Sequence, residues 1–132
     1  MKIVLTSLLV DDQKKALKFY TEVLGFVKKR EIPIGESTWL TVVSAEGPEG
    51  IELVLEPVGF LSGKTYQSSL FEAGTPAVAF ASDDIHAEYE RLRDLGVTFR
   101  GEPVSAGPVT SVLFEDTCGN LVNLYQATGS PI

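Results

Sequence analysis

Residues 10–31 read "VDDQKKALKFYTEVLGFVKKRE", and residues 82–103 read "SDDIHAEYERLRDLGVTFRGEP". The two stretches share one plan. Each opens on Asp-Asp, whose short carboxylates cap the exposed N–H groups of a helix start and favour its positive end. Each continues with apolar residues at helical spacing: Ala16, Phe19, Tyr20, Val23 and Leu24 in the first, then Ile85, Tyr89, Leu92 and Leu95 in the second. Each closes on a glycine, Gly25 or Gly96, which ends a helix without the steric cost of a Cβ in left-handed backbone. The pattern predicts two helices written from one duplicated unit.

Working outward, apolar runs flank both helices. Residues 3–10 precede the first and 76–81 the second. Strands are expected after the first helix at 26–32, 38–43 and 51–56, and after the second at 98–103, 109–114 and 121–126. The last pair in each half reads as a hairpin, turning at "SAEGPEG" and at "EDTCGN". The chain is therefore expected to be βαβββ twice, in modules 1–57 and 76–127. A linker, 58–75, carries a short helix in "GKTYQSSLFEAG". "GEPVSAGP" reads as a Pro/Gly loop. All 132 residues are taken as one domain.

Composition narrows the function classes. The chain is 44% hydrophobic and 22% charged, in the range of globular proteins. It holds no run of roughly 18–20 apolar residues, so no membrane partner is expected. The net charge of −7 argues against nucleic acid, which requires a basic patch. The one basic cluster, Lys28, Lys29 and Arg30, reads as an exposed strand edge rather than a phosphate site. A single cysteine, Cys118, fits a reducing compartment, so a cytoplasmic location is expected. It falls in a hairpin turn, a poor setting for a reactive thiolate. No phosphate loop is present, since "AEGPEG" lies between two strands.

The stretches "LLVDDQKKALKFYTEVLGF", "GIELVLEP", "VAFASDDIHAEYERLRDLGV" and "FEDTCGNLVNLYQ" together resemble the vicinal oxygen chelate superfamily. It includes glyoxalase I, extradiol dioxygenases, and fosfomycin- and bleomycin-resistance proteins. The resemblance covers nearly the whole chain. It implies an α+β fold in which two βαβββ modules form an open, curved sheet around a concave cavity, the glyoxalase/bleomycin-resistance/dioxygenase fold. It also implies a homodimer, because half-open sheets are commonly completed by a second copy.

Strand alternation then assigns faces. Ile51, Leu53 and Leu55 form the apolar set of the fourth strand, leaving Glu52, Val54 and Glu56 toward the cavity. In the last strand Val122 and Leu124 go under the helix, while Leu121, Asn123 and Tyr125 face the cavity. In the fifth, Val78 and Phe80 go under the helix and Ala77, Ala79 and Ala81 leave room for a ligand. Leu5, Ser7 and Leu9 are their mates in the first strand. Thr110 and Val112 are expected to face inward and, by the repeat, Trp39 and Thr41 also.

Metal-using members of the superfamily place one ligand on the first and one on the last strand of each module. Those positions carry over to Leu5, Glu52, Ala77 and Asn123. One carboxylate and one amide are too few donors for a transition metal, so no metal ion and no other cofactor are expected. His86, the sole imidazole, reads as a surface residue near the start of the second helix. Three readings stay open. The first is metal-free binding of a small organic molecule on the concave face, as bleomycin-resistance-type relatives do, by Leu5, Ser7, Trp39, Thr41, Glu52, Val54, Ala77, Ala79, Asn123 and Tyr125. The second is a lyase or isomerase in which Glu52, its pKa raised by an apolar cavity, is the catalytic base; a metal-dependent glyoxalase or dioxygenase with non-standard ligands is its variant. The third is a structural or regulatory module whose cavity is filled by its own side chains.

Overall fold

A computed structural model describes residues 1–127. The chain runs β1 (Leu5–Val10), α1 (Gln13–Lys18), a π-helical turn (Phe19–Val23), β2 (Val27–Ile34), β3 (Ser37–Val43) and β4 (Glu52–Pro57). It continues through α2 (Leu61–Glu72), β5 (Val78–Ala81), α3 (Ile85–Asp94), β6 (Val104–Ala106), β7 (Val109–Glu115) and β8 (Leu121–Ala127). Two units, Met1–Gln67 and Ser68–Ile132, meet in sequence inside α2. The fold is α+β, with one four-stranded sheet per unit in the orders β1-β4-β3-β2 and β5-β8-β7-β6. In each, the first strand lies parallel to the last and the other pairings are antiparallel.

In the first unit, the Asp12 carboxylate accepts from the N–H groups of Lys14 and Lys15 at 3.0 and 3.1 Å, starting α1 as the Asp-Asp signal requires. The helix ends past the π turn at Gly25, whose φ of +87° only glycine adopts freely. Leu8 and Val10 on β1, Leu40 and Val42 on β3, and Leu53 and Leu55 on β4 are buried with Ala16, Phe19 and Tyr20. Tyr20 stacks on Phe26, ring centroids 6.4 Å apart. A polar clamp adds direction to this packing. The Gln13 amide donates to the carbonyls of Thr38 and Leu55 at 2.7 and 2.9 Å and accepts from the Thr38 N–H, tying α1 to β3 and β4.

The second unit repeats the device with different residues. Asp84 caps α3 by accepting from the Ala87 N–H at 3.1 Å. The Gln126 amide accepts from the Ile85 N–H and donates to the Asp83 carbonyl, tying the helix start to β8. Ile85, Leu92, Val112, Phe114, Val122 and Leu124 form the core. Tyr89, Phe99 and Phe114 continue it as a chain of rings, with centroids 4.6 and 5.7 Å apart.

Two strand expectations need correction. The sixth strand lies at Val104–Ala106, not at 98–103, where only a bridge between Phe99 and Phe114 remains. Gly101, with φ of +117°, bends the chain, and Pro103 has no N–H to give a ladder. "GEPVSAGP" is thus a strand and a tight turn at Gly107 instead of a loop. Thr110 and Val112 sit opposite Gln126 and Leu124, so they share the helix-covered face with Val122. The connection between β7 and β8 is shorter than that between β3 and β4 by an odd number of residues, so side-chain parity does not carry from one hairpin to the other.

Candidate functional site

The pairings of the first sheet settle which residues share a face. Leu5 lies opposite Glu52 and Ser7 opposite Val54. Thr41 lies opposite Val54, Arg30 opposite Thr41, and Ile32 opposite Trp39. Paired residues project to the same side, so Trp39 and Thr41 share the face of Glu52 and Val54. Trp39 is half-buried, whereas Thr41 and Val54 are buried.

A β-bulge completes the site. Lys28 lies opposite Val42 and Arg30 opposite Thr41, leaving Lys29 as the extra residue on β2. Such an insertion bends the strand and re-aims its side chains. Both bulge cations reach Glu52: Arg30 Nε stands 3.1 Å from Oε1 and Lys29 Nζ 3.8 Å from Oε2. The Thr41 hydroxyl donates to Oε1 at 2.8 Å. Glu52 keeps only 11% side-chain exposure, against 47% for Arg30 and 41% for Lys29.

This environment corrects the expected raised pKa. The Thr41 hydroxyl, and then the charges of Arg30 and Lys29, hold the Glu52 carboxyl below the usual glutamate range, outweighing the opposing effect of desolvation. The reading of Lys28, Lys29 and Arg30 as an exposed edge holds for β2 itself, which is exposed throughout. It missed the destination of two of the three charges. The available signal was a cation run on a strand hairpinned to the one carrying Thr41.

Further along the same face, the Ser7 hydroxyl donates to Glu56 at 3.2 Å. In the second sheet, Asn123 and Tyr125 share a face with Ala79 and Ala81, their partners on β5. Ala77 precedes β5 and gives its N–H to the Leu121 carbonyl. The residue of β5 level with Asn123, as Leu5 is level with Glu52, is Ala79 and not Ala77. Leu121, assigned to the cavity, is fully buried.

These residues do not fit a divalent ion. Leu5 and Ala77, like Ala79, carry no side-chain donor atom, and the Glu52 carboxylate faces two cations that a metal would have to displace. Among the described residues, no cluster of three or more His, Cys, Asp and Glu side chains is arranged to hold a metal. His86 is exposed on the first turn of α3. Cys118 is buried. No helix among the described residues is long and apolar enough to cross a membrane.

Known proteins agree with this architecture. The sequence profile of the Glyoxalase/Bleomycin resistance protein/Dioxygenase superfamily matches residues 2–124. The uncharacterized protein YurT of Bacillus subtilis (strain 168) is 50% identical over 126 residues, which cover 96% of this chain and 99% of YurT. Lactoylglutathione lyase of Escherichia coli O157:H7 is 29% identical over 132 residues, covering 96% of this chain and 93% of the lyase. Among solved structures, TnmS3, an antibiotic binding protein from Streptomyces sp. CB03234, superposes with a TM-score of 0.74 at 26% identity, covering 97% of each chain. With its duplicated βαβββ plan and a profile match over nearly its whole length, the chain belongs to the Glyoxalase/Bleomycin resistance protein/Dioxygenase superfamily.

Proposed function

We propose that the protein binds a small organic molecule on the Glu52 face of its first sheet, without a metal ion. One observation carries this reading: Glu52, the single carboxylate at the family's metal positions, is already engaged by Thr41, Arg30 and Lys29. Trp39 and Val54 offer apolar contact, and Leu5 and Ser7 border them on β1. The corresponding face of the second sheet, with Ala77, Ala79, Asn123 and Tyr125, is proposed as a ligand-contacting surface in its own right. The likeness to the antibiotic-binding TnmS3 supports the same class of function.

The lyase or isomerase reading draws on the likeness to lactoylglutathione lyase. It asks Glu52 to abstract a proton, and a carboxylate held ionised by two cations and a hydroxyl is a weak base. A homodimer and a cytoplasmic location belong to the same proposal. The fully exposed edge strand β2 supports the first and the single cysteine of the sequence the second; sedimentation and cell fractionation are the checks.

The test uses protein dialysed against EDTA and titrated with a panel of aromatic small molecules. Trp39 is the only tryptophan, so its fluorescence reports directly on this face. At least one compound is expected to quench it and, at about 100 times its Kd, to raise Tm by several degrees. Trp39→Ala, which removes the fluorescent reporter and is therefore followed by the Tm shift, should weaken that binding about tenfold. Stoichiometric Zn²⁺, Ni²⁺ or Fe²⁺ in the purified protein, with binding that returns only when the metal is restored, would contradict the proposal.

A further inference from the structure

We infer that the molecule bound on the Glu52 face carries an anionic group, such as a carboxylate or an acidic hydroxyl, received by Arg30 and Lys29. This rests on the binding reading above and goes beyond it to the ligand's charge. The chain as a whole has a net charge of −7, which by itself suggests a cationic ligand. The local balance is the reverse. The Glu52 carboxylate is a single negative charge faced by two cations. Lys28, the third cation of the run, is bonded to Glu31 at 2.8 Å and stands apart from this group.

The geometry leaves the cations capacity for a second partner. Arg30 turns its Nε–H toward Glu52, and no protein acceptor among the described residues takes its two Nη groups. A guanidinium presents a planar fork that matches a carboxylate. Lys29 stands 3.8 Å from Glu52, an ion pair without a hydrogen bond, so its ammonium protons remain to be given. Both side chains are nearly half exposed, while Glu52 is almost covered. An approaching ligand therefore meets the cations before it meets the carboxylate. Trp39 is the diagonal neighbour of Arg30 on the same face, within reach of a long side chain or an aromatic ring seated there. A flat ring on Trp39 with an acidic substituent toward Arg30 satisfies both features.

The test compares three probes with one ring system and different charge: 1-naphthoate, 1-naphthamide and 1-naphthylmethylammonium, each followed by Trp39 fluorescence at low salt. The naphthoate is expected to bind about tenfold more tightly than the amide, the ammonium more weakly than both, and the spread to shrink in 0.5 M NaCl. Arg30→Gln should bring the naphthoate and amide affinities together, whereas Arg30→Lys should keep most of the difference. Glu52→Gln removes the competing carboxylate and should tighten naphthoate binding severalfold. Because it leaves both cations in place, this variant decides the question even if Arg30→Gln folds poorly. Equal binding of the naphthoate and the amide, or weaker naphthoate binding in Glu52→Gln, overturns the charge inference while the binding reading stands. No quenching by any of the three overturns both.

Discussion

Asp116→Ala is expected to cost about 3 kcal/mol of stability or more. Asp116 is fully buried in the turn between β7 and β8. One carboxylate oxygen accepts from the N–H groups of Cys118 and Asn120 at 2.7 and 3.0 Å, and the other from the Asn120 side-chain amide at 2.8 Å. Truncation takes the acceptor from three donors at once, and each buried donor left without a partner costs roughly 1–3 kcal/mol. The same contacts hold Thr117 at φ +65°, a conformation that a β-branched residue avoids when nothing imposes it. Urea unfolding of the variant and the wild type measures the loss. A difference below about 1 kcal/mol would show that the turn closes without Asp116.

Phe114→Ala is expected to cost about 3–5 kcal/mol, by loss of buried area and by the cavity left behind. The ring is 1% exposed and packs edge-on against Phe99, which in turn meets Tyr89 on α3. Leu95→Ala, at a residue 55% exposed, is the control and should stay within about 0.5 kcal/mol of wild type. Similar costs for the two would mean that the helix-covered face of the second sheet is not the core described above.

What the sequence made legible follows the range of the interactions involved. Helix caps, glycine stops and strand alternation are local. Asp12, Asp84, Gly25 and Gly96 accordingly stand where the duplicated stretches indicate, and so do the buried Leu53 and Leu55 of β4 and Val122 and Leu124 of β8, whereas Ile51, expected among them, is exposed just before β4. Other features belong to pairs of strands, and no single stretch encodes them. The extra residue at Lys29 is defined only against β3, so the two cations beside Glu52 stayed hidden in what looked like an exposed edge. Parallel register is set by packing across the sheet, which is why Ala79, and not Ala77, lies level with Asn123. Thr110 and Val112 lie under the helix, not toward the cavity, because five residues and not the six of "EDTCGN" join β7 to β8, which pairs Glu115 with Leu121 and shifts the parity by one. Trp39, expected inward by the repeat, does share the face of Glu52, fixed by its register with Ile32 and the pairing of Thr41 with Val54.

Glu52 is a carboxylate kept ionised by the Thr41 hydroxyl, Arg30 and Lys29. A glutamate whose folded-state pKa is depressed adds stability at pH values above its unfolded pKa, and that contribution is lost as the pH falls through the folded value. The direct measurement is a ¹³C NMR titration of the Glu52 side-chain carboxyl, assigned by the signal missing in Glu52→Gln. A midpoint below the usual glutamate range is the predicted result. A midpoint raised toward neutrality, as an apolar pocket would produce, would contradict the ion-paired site and restore Glu52 as a candidate base.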